Sequence, residues 1–326
     1  MMKELINAIS KDNTDIDSYI KLADRYSEQH NWIAAISQYR SAIAIGSTNI
    51  EVYTKLAKSY LAIGRNDFAK DICEKILEID KSNPASKNIL LEINNTTEHF
   101  NDELDHNTYF RMKSLSNHIN QLFGNNEISI LDIGGGVGYL SLFLPDSKYV
   151  LAEPFINGIS ALDLKFPDKM FDVVITCHVY EHIPKDQRQT FLDQLCKVAK
   201  KYVIMLNPFY SINNDVTIDA QKLVYELTGA TWAKEHLECG MPKLEEITEY
   251  AKKKQISYRI IPNGSRITSQ AIVFLDYFAG ISGKYDELKK VHKLLNRYTN
   301  DTIVNDKVPN AYIVEFDVRE QINITV

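Results

Sequence analysis

The feature that most limits this chain is a short stretch near its middle, ISILDIGGGVGYLSLF over Ile128–Phe143. An apolar run of strand length stops at Asp132, and Gly134, Gly135, Gly136 and Gly138 follow at once. Glycine reaches positive φ without a steric penalty, so the run predicts a tight turn leaving a buried strand. The residues from Tyr139 onward are helix-compatible. Strand, glycine turn and helix in this order bring backbone N–H groups against a nucleotide-like ligand. A side chain at Gly134 or Gly136 would collide with that ligand. The spacing fits GxGxxG poorly, because Tyr139 stands where the third glycine would be, but it fits D-x-G-x-G-x-G without a gap. A second apolar strand, Tyr149–Ala152, ends at Glu153, an acid placed to accept hydrogen bonds from both hydroxyls of a ribose.

Further on, Phe171–Cys177 is a continuous apolar run, as a buried parallel strand requires. An amphipathic helix follows over Lys185–Ala199, then a strand over Tyr202–Leu206 that ends in Asn207-Pro208. Leu244–Lys254 reads as a helix, Ile256–Ile261 as a strand, Thr268–Arg297 as helical and Ala311–Val318 as a last strand. Taken together, Asp132-x-Gly-x-Gly-x-Gly, Glu153, LDLKFPDKMFDVV and HVYEHI resemble the class I S-adenosylmethionine-dependent methyltransferases, over about Tyr109–Val318. The resemblance implies an α/β fold with a Rossmann-like sheet, parallel but for one antiparallel strand, and S-adenosyl-L-methionine as cofactor. By the same resemblance Asp132, Gly134, Gly135, Gly136 and Gly138 hold the methionine end and Glu153 holds the ribose. Ser160, Ala161 and Leu164 line the adenine, and His178 sits near the reactive methyl. There are two departures. The segment between Glu153 and Ser160 is too short for the usual helix, and Ser160 stands where many relatives carry an Asp. A trimmed sheet edge and a more open adenine pocket are expected, with another segment such as the linker left to cover it.

The N-terminal third repeats. A shift of 34 residues lays Tyr19 on Tyr53, Leu22 on Leu56, Ala23 on Ala57, Tyr26 on Tyr60 and Ala35 on Ala69. The matches recur at helical spacing and imply two helices per unit, about Ile16–Gln29 with Trp32–Ile45 and about Glu51–Ile63 with Asp67–Ile79. This resembles the tetratricopeptide repeat, although the closing proline is missing and His30 stands at the first turn where Gly64 serves in the second unit. A further helix, Pro84–Ile93, is expected to cap the stack, and polar Asn94–Asn107 reads as a linker. The division expected is an all-α repeat-like domain over 1–95 and a methyltransferase domain over 96–326.

An insert at about 209–242 is expected to form a lid over the acceptor. It contains KEHLECGMP, Lys234–Pro242, which is similar to the EHLxxGLP of methyltransferases in cell-surface glycan clusters. His178, Glu181 and His182 spell H-x-x-E-H, an inverted zinc-protease pattern, but here it follows a strand. A divalent-metal site of His178, Glu181, His182 and His236 is one reading, and packing of His182 at a helix start is another; no metal is expected. A sugar hydroxyl must lose its proton to accept a methyl group, and a histidine suits that task. His178, His182 and His236 are therefore the catalytic candidates.

Composition removes other classes. Net charge is −6 with pI about 5.8, which offers no footprint for a nucleic-acid backbone. No run reaches the ~18 apolar residues of a membrane span, and the N-terminus lacks a signal-peptide core, so a cytoplasmic location is expected. Cys73, Cys177, Cys196 and Cys239 form no CxxC pair and read as reduced. The expected function is methyl transfer to a sugar hydroxyl of a bacterial surface glycan or its precursor. Protein methylation through docking on the repeats, and a non-catalytic scaffold, are the rivals. A small-molecule or glycan acceptor is the partner, with a protein partner and a homo-oligomer left open.

Overall fold

A computed structural model describes residues 2–93, 104–124, 126–209, 216–298 and 308–319. Most of the expected linker, 94–103, and the start of the expected lid, 210–215, lie outside the described residues. The helices are α1 (Met2–Lys11), α2 (Ile16–Glu28), α3 (Trp32–Ile45), α4 (Ile50–Ala62), α5 (Asn66–Ile79), α6 (Pro84–Ile93), α7 (His106–Phe123), α8 (Pro154–Asn157), α9 (Arg188–Val198), α10 (Val216–Thr228), α11 (Thr231–Cys239), α12 (Leu244–Lys254), α13 (Arg266–Ile281) and α14 (Tyr285–Tyr298). The strands are β1 (Ser129–Ile133), β2 (Lys148–Ala152), β3 (Phe171–Cys177), β4 (Ala199–Asn207), β5 (Ser257–Asn263) and β6 (Ala311–Asp317). They form the mixed, mainly parallel sheet of an α/β protein. The chain divides into two compact units, one of residues 1–103 and 123–167, the other of residues 104–122 and 168–326.

In the first unit the helical repeat is built from small residues and local caps. Ala23, Ala35, Ala57 and Ala69 are fully buried, with Tyr19, Tyr26 and Tyr60 packed beside them. Asp15, Asn31 and Asn49 each accept a hydrogen bond from a backbone N–H in the first turn of the helix they precede, as good N-caps do. His30 (φ 57°) and Gly64 (φ 73°) occupy the same left-handed position one repeat apart. The turns match in hydrogen bonding too: Asn31 N–H donates to Tyr26 O and Arg65 N–H to Tyr60 O, both at 2.9 Å. The periodicity did not reveal α1, which precedes the first matched pair.

β1 and β2 run parallel, Asp132 opposite Leu151 and Ile133 opposite Ala152. The ladder side of β2 uses Lys148 N–H, which donates to Ile128 O, and Ala152 C=O, which accepts from Gly134 N–H. Backbone groups at the alternate positions face the other way. There, Leu151 N–H donates to Ser41 Oγ of α3 at 3.1 Å, and Leu151 C=O accepts from Asn157 Nδ2 at 2.7 Å. Glu153 N–H donates to Asn157 Oδ1 at 3.0 Å, and Asn157 Nδ2 also reaches Gln38 Oε1 of α3 at 3.2 Å. The trimmed edge is thus closed by α3 and by the four-residue α8.

The regular helix expected after the glycine turn is absent. Tyr139–Leu142 makes one 3₁₀ turn instead. The carbonyls that a longer helix would use are taken by two arginines of the repeat. Arg40 donates to Ser141 O, to Leu144 O at 2.8 Å and to Ser147 O at 2.7 Å, and Arg65 donates to Leu142 O at 2.9 Å.

In the second unit β3 and β4 pair in parallel, and β6 runs antiparallel to both β4 and β5. The order there is β3-β4-β6-β5, with β6 the reversed strand. Among the described residues no helix is long and apolar enough to cross a membrane.

Arg40 is buried and answers four carbonyls at once, those of Ser141, Leu144, Pro145 and Ser147. Leu144 O keeps Ser147 Oγ as a donor at 2.8 Å, but Arg40→Met should leave the other carbonyls without theirs, at about 1–3 kcal/mol for each, and lower unfolding free energy in urea by about 3 kcal/mol or more. Unchanged stability would show that those carbonyls do not depend on the guanidinium.

Candidate functional site

Nine of the residues singled out in the sequence lie in the first unit. β1 delivers Asp132 to its carboxyl end, where the side chain is 1% exposed. Tyr149 of β2 donates its hydroxyl to Asp132 Oδ2 at 2.6 Å, while Oδ1 has no hydrogen-bond partner among the described residues. The carboxylate lies directly beneath the glycine turn, since a Cβ on Gly135 would meet Asp132 Oδ2 at 2.3 Å. Burial, which disfavours the charged form, pushes the Asp132 carboxyl up to about 7, against the pull of the Tyr149 hydroxyl.

The turn itself has positive φ at Gly134 (69°), Gly136 (57°) and Gly138 (99°). A Cβ on Gly138 would strike Ser37 Cβ of α3 at 2.7 Å, so this glycine is required by the close approach of the helix. Gly136 differs, because a Cβ there would meet no protein atom within 4 Å. Its N–H donates to Glu153 Oε2 at 3.1 Å, and Glu153 Oε1 accepts from Phe155 N–H at 3.3 Å. The acid at the end of β2 is therefore joined to the glycine turn and also caps α8. Burial raises the Glu153 pKa, offset in part by these two N–H donors. Ser160, Ala161 and Leu164 follow α8 in a loop. Leu164 is buried, and Ser160 Oγ accepts from Leu162 N–H at 3.3 Å.

The three histidines lie in the second unit and meet around one carboxylate. His178 follows directly on β3, with its N–H on Leu206 O at 2.8 Å and with φ at +56°, a conformation that costs a non-glycine residue energy. The next turn, Tyr180–His182, is 3₁₀ and places Glu181 fully inside. Glu181 Oε1 lies 3.3 Å from His178 Nδ1 and 3.9 Å from His236 Nε2, while Oε2 accepts from Asn207 Nδ2 at the end of β4. His236, on α11, brings its Nε2 to 3.2 Å from His182 Nε2. The outer nitrogens are engaged as well, His182 Nδ1 with Glu235 Oε2 at 2.9 Å and His236 Nδ1 with Gln221 Oε1 at 3.3 Å. Buried Arg188 fastens the end of α11 through Cys239 O and Gly240 O, and it also pairs with Glu246. Burial lowers the His178 pKa and takes His236 down to about 4, so both are neutral near pH 7. Burial alone would raise Glu181, but His178 and His236 hold it below its ordinary value. Glu181, His182 and His236 offer one ligand atom each, all within 4.8 Å of one another. Glu235, Gln221 and Asn207 escaped the sequence reading. Their part shows only in space, where α10, α11 and the end of β4 meet the turn after β3.

Residues 149–206 match the family model described as a methyltransferase domain. The chain therefore carries a methyltransferase domain, the enzyme class whose methyl donor is S-adenosylmethionine. No curated protein matches the chain significantly. Among solved structures, the YcgJ protein of Bacillus subtilis is 14% identical, with a TM-score of 0.40, over 64% of this chain and 99% of its own. The plantazolicin methyltransferase BpumL in complex with S-adenosylhomocysteine is 12% identical, with a TM-score of 0.42, over 81% of this chain and 98% of its own. Phosphoethanolamine N-methyltransferase 2 of Haemonchus contortus, bound to S-adenosyl-L-methionine, is 15% identical, with a TM-score of 0.37, over 62% of this chain and 51% of its own.

The raised Asp132 pKa fixes a sign. Below about pH 4 the folded and unfolded chains both hold this proton, and between about 4 and 7 only the folded chain does. Stability from this group therefore falls as pH rises through that window, by up to about 4 kcal/mol. Asp132→Asn should flatten the dependence, so that its stability relative to the wild type improves between pH 4.5 and pH 8 in urea titrations. Parallel curves for the two proteins would mean that Asp132 ionises normally.

Proposed function

We propose that the chain is a class I S-adenosylmethionine-dependent methyltransferase with a tetratricopeptide-like domain over 1–95 ahead of the methyltransferase domain over 96–326. Its acceptor is a sugar hydroxyl of a bacterial surface glycan or its precursor. The observation that carries the cofactor assignment is the cradle at Gly136. A left-handed glycine with open space where its Cβ would be, bonded to the acid that ends the neighbouring strand, is the surface a nucleoside ligand needs. The residues expected to hold the cofactor are Asp132, the glycines of the turn, Glu153, Ser160, Ala161 and Leu164, together with His178.

When bound, the cofactor supplies an electrophilic sulfonium methyl, so the protein's work is alignment and proton removal. His178 suits proton removal better than His236. Burial keeps it neutral, and its Nε2 has no hydrogen-bond partner among the described residues. His236 has both ring nitrogens engaged. The glycan assignment is supported by the likeness of Lys234–Pro242 to glycan methyltransferases. The contacts of α3 with β2 favour the repeats as an internal prop over a separate docking module.

Calorimetric titration with S-adenosylhomocysteine should show one site in the wild type. Gly136→Ala should cost only about 1–2 kcal/mol of stability yet weaken that affinity at least tenfold. Equal affinity in the variant, or no binding to the wild type, would overturn the cradle. With sugar nucleotides and lipid-linked sugars as acceptors, methyl transfer should appear and fall about 10²–10⁴-fold in His178→Ala. Transfer to a protein substrate instead would overturn the glycan reading while leaving the cofactor site intact.

A further inference from the structure

The cluster around Glu181 brings three electron-pair donors, one each from Glu181, His182 and His236, within 4.8 Å of one another. Glu235 is a carboxylate and can only accept, so His182 Nδ1 carries the proton of its 2.9 Å contact. A neutral imidazole protonated at Nδ1 presents a bare lone pair at Nε2. The same holds for His236, whose Nδ1 faces the amide oxygen of Gln221. The two Nε2 atoms are nevertheless 3.2 Å apart, with the ring centroids 4.6 Å apart and the ring planes at 63°. Glu181 Oε1, buried and without a hydrogen-bond partner, stands 3.9 Å from His236 Nε2. Turning the Gln221 amide would let one imidazole donate to the other, and the nearest donor to Glu181 Oε1 is His178 Nδ1 at 3.3 Å, which leaves that oxygen a further lone pair for an ion.

We propose that Glu181 Oε1, His182 Nε2 and His236 Nε2 bind a divalent transition-metal ion. The spacing agrees with this, since metal–nitrogen bonds of about 2.0–2.1 Å at a tetrahedral ion set two ligand nitrogens about 3.3 Å apart. Each ligand is also oriented from behind, His182 by Glu235, His236 by Gln221 and Glu181 Oε2 by Asn207. Such outer partners accompany most histidine metal sites. Two imidazoles and one carboxylate favour zinc, manganese, iron or cobalt over magnesium and calcium, which prefer all-oxygen sets. From the sequence, this cluster is weighed with His178 and no metal is expected, packing of His182 and proton-removal roles for the histidines being preferred. Three protein ligands leave at least one coordination position for an oxygen. If the chain methylates a hydroxyl, as proposed above, that oxygen is the acceptor's; metal binding itself does not depend on that reading.

The test uses the full-length chain stripped with chelator and titrated with Co²⁺ at neutral pH. One equivalent should give visible d–d absorption of nitrogen–oxygen coordination, which Zn²⁺ then displaces. His236→Gln and Glu181→Gln should each weaken Zn²⁺ binding at least 100-fold, and Glu235→Gln by about 10–100-fold. The wild-type spectrum needs no variant, so a poorly folding substitution leaves the test decisive. Absence of absorption at one equivalent, or Zn²⁺ affinity unchanged in a folded His236→Gln protein, would overturn the site. A chain that takes up the metal but does not bind S-adenosylhomocysteine would uphold the site and sink the methyl-transfer reading.

Discussion

A strand that pairs on one side only leaves alternate backbone groups on the other side to be satisfied. In the first unit that demand falls on β2, and α3 meets it. Ser41 takes the Leu151 N–H, and Gln38 steadies Asn157, which answers the Leu151 carbonyl and the Glu153 N–H. The same helix supplies Arg40, whose guanidinium lies over the Tyr149 ring at 5.2 Å. Tyr149 in turn donates to Asp132 beneath the glycine turn. A continuous chain of contacts therefore runs from the repeat helices to the residues that hold the turn in place. The helices and the turn are parts of one packed body, and Gly138 is small because Ser37 comes so near.

The two units show how neighbours decide the fate of a buried acid. Asp132 and Glu181 are both enclosed, and each keeps one oxygen without a hydrogen-bond partner among the described residues. Burial pushes both pKa values up. Asp132 has a tyrosine hydroxyl and the nearby Glu153, and it ends near neutrality. Glu181 has two histidines, and it ends below its ordinary value. One carboxyl thus keeps its proton in mildly acidic solution while the other remains an anion.

Much of this was legible in the sequence, where the signal is local. The apolar run, the glycines and the acid at Glu153 specify strand, turn and strand end without outside help. The 34-residue matches at helical spacing specify the helix pairs. What could not be read depends on distant partners. Ser37, Gln38, Arg40 and Ser41 are polar and would pass for a solvated face, yet all four are buried. The missing helix after the glycine turn has the same origin, because helix propensity at Tyr139–Phe143 gives way to carbonyls that bond Arg40 and Arg65. In the second unit, HVYEHI and KEHLECGMP each show histidines, but only the packing of α11 on the 3₁₀ turn brings His182 to His236.

The seal on β2 has a consequence for how the chain comes off the ribosome. Synthesis proceeds from the N-terminus, so α3 emerges about a hundred residues before the strand it covers. Through that interval the surface destined for β2 faces water. A purely aliphatic surface would be an invitation to aggregate. Here the waiting surface carries hydroxyls, an amide and a guanidinium, groups that water satisfies until Leu151 and Asn157 arrive. The polarity of α3 is thus suited to both stages, hydrated in the nascent chain and fully bonded in the finished one.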